Sequence, residues 1–336
     1  MDCNEREVQS MSRGITLTIG VLFILSLIFI GALGNKLGDE KERADKSSTN
    51  VQQPVSGELA SEATFNPPSL ENVPDGPQGE AILRGHELVD DTSNQLRGDT
   101  ASAEDGQQRV NELSCSSCHA GAGLEQDSSP LVGVAAKYPN YISRNGEIVT
   151  LEERINGCMV RSMNGQPFAE DDEDLDAMVA YFKYISEGIP VGAELPWLGQ
   201  NDMKEVPIPD VAAGEKMFQQ SCIACHAQDG AGTGANTGPA LWGEGSFNDG
   251  AGIARFSRMA GYIQNNMPKG QEKSLTDQEA SNLAAFILSQ DRPEWGDHAG
   301  DWPGGGAPKD SMTKELRQQI KDGTINWEEI LSPTTK

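Results

Sequence analysis

Two five-residue motifs constrain this chain more than anything else in it: Cys115-Ser116-Ser117-Cys118-His119 and Cys222-Ile223-Ala224-Cys225-His226. Two thiols at this spacing on a tight turn reach the two vinyl groups of one haem, and the adjacent imidazole then points at the iron. A bare Cys-x-x-Cys would read as half a zinc site or a redox dithiol. The added histidine and the duplication argue against both. The expected cofactors are two covalently bound haem c groups, one held by Cys115, Cys118 and His119, the other by Cys222, Cys225 and His226.

The sequence around the motifs is helical in pattern. GEAILRGHELVDD, from about Gln78, reads as a helix. Between Glu170 and Ile185, Leu175, Met178, Val179 and Phe182 share a face at helical spacing. Acidic residues 170–174 suit its positive N-terminal end, and Gly188 stops it. Asp210 can cap a helix from Val211 to Gln220, and Thr276 to Glu279 form a capping-box pattern. Gly214 and Phe286 suit the close helix crossing of a small helical cytochrome. No strand alternation stands out. The expected fold is mainly α: two cytochrome c-like helical domains, preceded by a single transmembrane helix and a flexible tether.

The expected order is a cytoplasmic segment 1–14, a membrane anchor 15–34, a flexible linker 35–77, a first haem domain 78–189, a Pro-rich linker 190–209, a second haem domain 210–310 and a tail 311–336. The anchor, ITLTIGVLFILSLIFIGAL, carries no charge and is long enough to cross a bilayer. It reads as an uncleaved anchor, since no small-x-small site follows it. Haem c is attached outside the cytoplasm, so residues 35–336 are expected in the periplasm, held to the inner membrane. The formal charge of −25 argues against nucleic acid as a partner and favours a basic redox protein.

The sixth ligand decides what each haem does. For the second haem, Met267 lies 41 residues past His226 (267 − 226), in Asn-Asn-Met-Pro, with Lys269 a weaker rival. For the first, Cys158 lies 39 residues past His119 (158 − 119), and Met159 and Met163 compete with it. A thiolate would lower the potential, whereas Met159 would make an ordinary electron carrier. His86 and His298 are weaker alternatives. Arg144, Arg154 and Arg161 stand out in so acidic a chain as a possible clamp for a small oxyanion.

The stretches NELSCSSCHAGAG, YPNYISRNGEIVTLEERINGCMVRSMNG, GPALWGEGSFNDGAGIARF, NNMP, RPEW and DWPGGGAP resemble the dihaem thiosulfate dehydrogenases, which also reduce tetrathionate. The likeness covers about residues 78–310. It implies a catalytic first haem ligated by His119 and Cys158, an anion site lined by Arg144 and Arg154, and an electron-transfer haem ligated by His226 and Met267. It also implies thiosulfate and tetrathionate as substrate and product, and an electron-accepting cytochrome or other redox protein as partner.

Overall fold

The computed structural model describes residues 63–98, 108–199 and 201–332. The anchor expected at 15–34 lies outside the described residues, among which no helix is long and apolar enough to cross a membrane. The described residues form one compact unit.

In the first half, α1 (Pro77–Asp90) and α2 (Thr92–Leu96) lead to the Cys115–Ser117 turn, which carries the first motif. A two-stranded antiparallel sheet follows, β1 (Asn140–Ile142) and β2 (Glu147–Val149), with Tyr141 opposite Ile148. This corrects the expectation of no strands: three residues per strand are too few to show an alternating pattern. Next come α3 (Leu151–Arg161) and α4 (Glu173–Tyr184). The latter starts later than its acidic run because Asp172 is the cap, its side chain accepting from the Asp174 N–H. The sequence reading did not place α3, although its signal is present: Thr150 and Glu153 form a reciprocal capping box.

The second half has α5 (Val211–Ser221), α6 (Ile223–His226), α7 (Phe256–Asn266) and α8 (Asp277–Ser289). The Asp210 cap and the Thr276–Glu279 capping box are both present. Beyond them lie α9 (Lys314–Lys321) and α10 (Trp327–Ile330). Residues 311–332 are packed onto this half rather than trailing from it: Met312 is fully buried, and the Trp327 ring sits 4.8 Å from Phe256. Arg317, also buried, donates to Asp249 Oδ2 at 2.9 Å.

The same crossing recurs in both halves. A Cβ on Gly85 of α1 would lie 2.0 Å from the Ala177 carbonyl of α4, and one on Gly214 of α5 would lie 2.0 Å from the Asn282 carbonyl of α8. Only glycine allows these helices to approach so closely. Phe286, expected at the second crossing, packs just beyond it, 5.3 Å from Phe218. Gly214→Val should therefore cost about 3 kcal/mol through overpacking, read as a lowered midpoint in thermal unfolding of the holoprotein.

The flexible linker also needs a shorter span than 35–77. Ala63, Phe65, Leu70 and Val73 pack against the core, Phe65 edge-on to Trp197 at 5.4 Å. Tyr184 OH donates to the Ser69 carbonyl at 2.6 Å. These apolar residues have no regular period, so their burial was invisible to a reading based on periodicity.

Candidate functional site

The first motif is fixed from both sides. The Cys115 N–H donates to Thr92 Oγ1 at 3.0 Å, and that hydroxyl donates to the Leu88 carbonyl at 2.6 Å, tying the motif to α1 and α2. His119 Nδ1 lies 2.6 Å from the Ser129 carbonyl. A carbonyl only accepts, so Nδ1 carries the proton and Nε2 keeps its lone pair for a metal. His226 is held the same way, Nδ1 donating to the Pro239 carbonyl at 2.9 Å. Burial pushes both histidines below their ordinary value and favours the neutral, ligating form. Burial also pushes the Cys115 thiol up to about 11 and Cys118 up to about 12.

Cys115, Cys118 and His119 wall a cavity of about 390 Å³, and Cys158, Arg154 and Tyr138 wall the same space. The remaining lining is largely apolar, including Leu131, Ile155 and Phe182. Two thiols, an imidazole with a free Nε2 and a further sulfur around an apolar space fit a haem c. Met159 and Met163 also line the cavity, but their side chains are packed away, at 1% and 3% exposure. Cys158 is only partly buried.

Arg154 projects from α3 one turn before Cys158. Its neighbour Cys158 pushes the guanidinium above its ordinary value; burial opposes this and Tyr138 adds to it. Arg154 is exposed and lines the cavity. Arg258, Tyr138 and Ser162 also line this space and were missed from sequence, where nothing sets them apart from other polar residues.

Arg144 and Arg161 do not share that wall with Arg154. Arg161 forks onto Asp301 at 3.0 and 2.7 Å and lies 4.2 Å over the Trp295 ring. Arg144 Nη1 donates to the Gly250 carbonyl at 2.6 Å, and its guanidinium lies 4.4 Å over Trp302. The expected three-arginine clamp is therefore divided. Asp301, Trp302 and Trp295 compete for two of its members, and their positions some 150 residues away in the chain hid them.

Met267 follows α7 directly and is partly buried against the core. Its neighbour Asn266 accepts from Ser128 Oγ at 2.8 Å and donates to Asn201 Oδ1 at 3.1 Å. Ser128 precedes the serine that holds His119. Lys269 Nζ lies 3.3 Å from Ser128 Oγ and half-exposed. The motifs are linked as well. Ser117 Oγ donates to the Ala235 carbonyl at 2.8 Å, and Thr233 Oγ1 donates to the Cys225 carbonyl at 2.8 Å. His86 stacks edge-on with Tyr181, and His298 Nε2 is engaged by Asp249 at 2.8 Å, so neither is placed as an axial ligand.

Residues 104–191 match the SoxA/TsdA cytochrome c domain, and residues 209–287 match cytochrome c oxidase, cbb3-type, subunit III. Two cytochrome c domains imply covalently bound haem c. A thiosulfate dehydrogenase of Allochromatium vinosum is 39% identical over 242 residues, covering 70% of this chain and 86% of that protein. The chain belongs to the thiosulfate dehydrogenase family. Another thiosulfate dehydrogenase, from Psychrobacter arcticus, is 37% identical over 251 residues, 74% of each chain. The solved thiosulfate dehydrogenase (TsdBA) from Marichromatium purpuratum, in its as-isolated form, aligns with a TM-score of 0.63 at 31% identity. That alignment covers 74% of this chain and 54% of the other, so this family member spans about half the length of that structure's chain.

Proposed function

We propose that this chain is a periplasmic dihaem enzyme that joins two thiosulfate dianions into tetrathionate. One S–S bond forms, no bond breaks, and two electrons leave to an electron-accepting cytochrome or other redox protein. The reverse reaction uses the same site. The observation that carries this reading is the shared cavity: Cys158, Arg154 and His119 wall one space.

In this reading Cys115, Cys118, His119 and the Cys158 sulfur would hold one haem, and Cys222, Cys225, His226 and Met267 would hold the second. Each haem, when bound, supplies a one-electron acceptor. Arg154 neutralises an anion beside Cys158, in a protein whose overall charge of −25 repels a dianion. The Cys158 sulfur faces the space in which the new S–S bond is made. Ser129 holds the His119 ring in one tautomer and orientation. Residues 15–34 anchor the chain to the inner membrane, and the linker ahead of residue 63 gives the haem domains a reach of roughly 30 Å. Haem domains at 78–189 and 210–310, joined by 190–209, complete the plan.

The test is anaerobic oxidation of thiosulfate by the purified holoprotein with a one-electron acceptor. Two thiosulfates consumed per tetrathionate and two acceptors reduced support the reading. Acceptor reduction without tetrathionate rejects it. Arg154→Gln should raise KM for thiosulfate by about tenfold or more, as expected for loss of a charge-assisted hydrogen bond. An unchanged KM would remove Arg154 from substrate binding.

A further inference from the structure

Arg144, Arg161 and Arg255 converge outside the cavity wall. Trp302 brings two of them together: Arg144 lies 4.4 Å over its ring and Arg255 lies 5.3 Å over it. Gly250 brings Arg144 and Arg161 together, since its carbonyl accepts from Arg144 and a Cβ there would lie 3.1 Å from Arg161 Nη1. Asp301 is held by Arg161 and lies 3.6 Å from Arg144, beyond hydrogen-bond range.

Arg255 has no such partner. Among the described residues no carboxylate forms an ion pair with it, and its Nε is buried without a hydrogen bond. Asp310, the carboxylate nearest in effect, is engaged by the Ser257 N–H and hydroxyl. Ser311 pairs with Arg255 across an isolated antiparallel bridge, and its Oγ is also buried without a partner. Burial, and then Arg258, push Arg255 down to about 10; burial does the same to Arg144. A half-buried guanidinium with no ion-pair partner, whose Nε is enclosed without an acceptor, is a place that an anion completes.

We propose that Arg255, with Arg144 and the Ser311 hydroxyl, forms a second sulfur-oxyanion subsite beside the one at Arg154. The two subsites are joined by two helical turns. Arg161 follows Cys158 by three residues on α3, and Arg258 of α7, three residues after the capping position Arg255, lines the cavity. The inference rests on the thiosulfate reading: coupling two dianions requires two places for negative charge. The anion could also be a carboxylate of the haem itself. The free oxyanion is favoured because none of Arg144, Arg255 and Ser311 lines the haem cavity.

Oxidised holoprotein without a reductant cannot turn tetrathionate over, so its binding alone can be read, and the two sulfonate ends of tetrathionate suit two subsites. Calorimetric titration with tetrathionate should show at least about tenfold weaker binding in Arg255→Gln, with partial recovery in Arg255→Lys. Haem content, thermal midpoint and the haem 1 midpoint potential should be unchanged. Unchanged affinity in Arg255→Gln would overturn the subsite alone. A shifted haem 1 potential with unchanged affinity would assign the arginine to the haem carboxylate instead. A wild-type holoprotein that binds no tetrathionate and oxidises no thiosulfate would overturn both this subsite and the function on which it rests.

Discussion

Cys158→Met should leave both haems covalently attached and reduce thiosulfate oxidation by about three orders of magnitude or more, the scale seen when a group acting directly in bond-making is removed. The attachment residues Cys115, Cys118 and His119 belong to a different element from Cys158, which sits on α3, so haem content should not change. Methionine keeps a sulfur on the same helix but replaces an ionisable thiol with a neutral thioether. It favours the reduced iron and raises the potential. It also removes the partner that pushes Arg154 above its ordinary value. Three measurements check the result: haem content by the pyridine assay, low-temperature electron paramagnetic resonance and steady-state acceptor reduction. The wild type should show a low-spin signal typical of thiolate ligation, and the variant should lack it. A variant that retained full turnover would sink the catalytic role of Cys158 and favour a plain electron carrier with Met159 bound.

The second large effect concerns the other motif. Cys222→Ala combined with Cys225→Ala should halve the covalent haem content and leave the thiolate-type signal intact. Cys225 is exposed and Cys222 only partly buried, so the substitutions remove little packing. Thiosulfate oxidation with a protein acceptor should fall by at least about a hundredfold, because the exit for electrons is gone. If the double variant passed electrons to the acceptor at the wild-type rate, the second haem would not be the exit. If haem content did not change, the chain would not carry its second haem at this motif.

Much of the architecture was legible because it depends on local chemistry. Each Cys-x-x-Cys-His motif is contiguous, and so are the Asp210 cap and the Thr276–Glu279 box. The apolar face of α4 recurs at a period that one helix can reveal. The misses share a different physical origin. α3 carries Cys158, but its buried stripe is only Leu151, Ile155 and Met159, and its capping box marks where it begins. The hairpin from Asn140 to Val149 is too short for a period. Division of the arginines depended on Asp301 and Trp302, whose approach to Arg144 is a tertiary event: the Trp302 N–H donates to the Arg144 carbonyl at 2.7 Å. Sequence spacing placed Arg144, Arg154 and Arg161 in one neighbourhood. It could not show that their guanidinium groups have different partners.

The serine pair at 128–129 has a consequence for how far this protein can be divided. Ser129 orients the imidazole of the first motif, while Ser128 is tied to Asn266, the residue before Met267. The first half thus borrows from the second part of what steadies its own histidine, and the second borrows from the first part of what steadies its methionine loop. A fragment carrying one motif would retain its cysteines but lose half of this brace. The smallest piece that keeps this brace whole is therefore the two halves together.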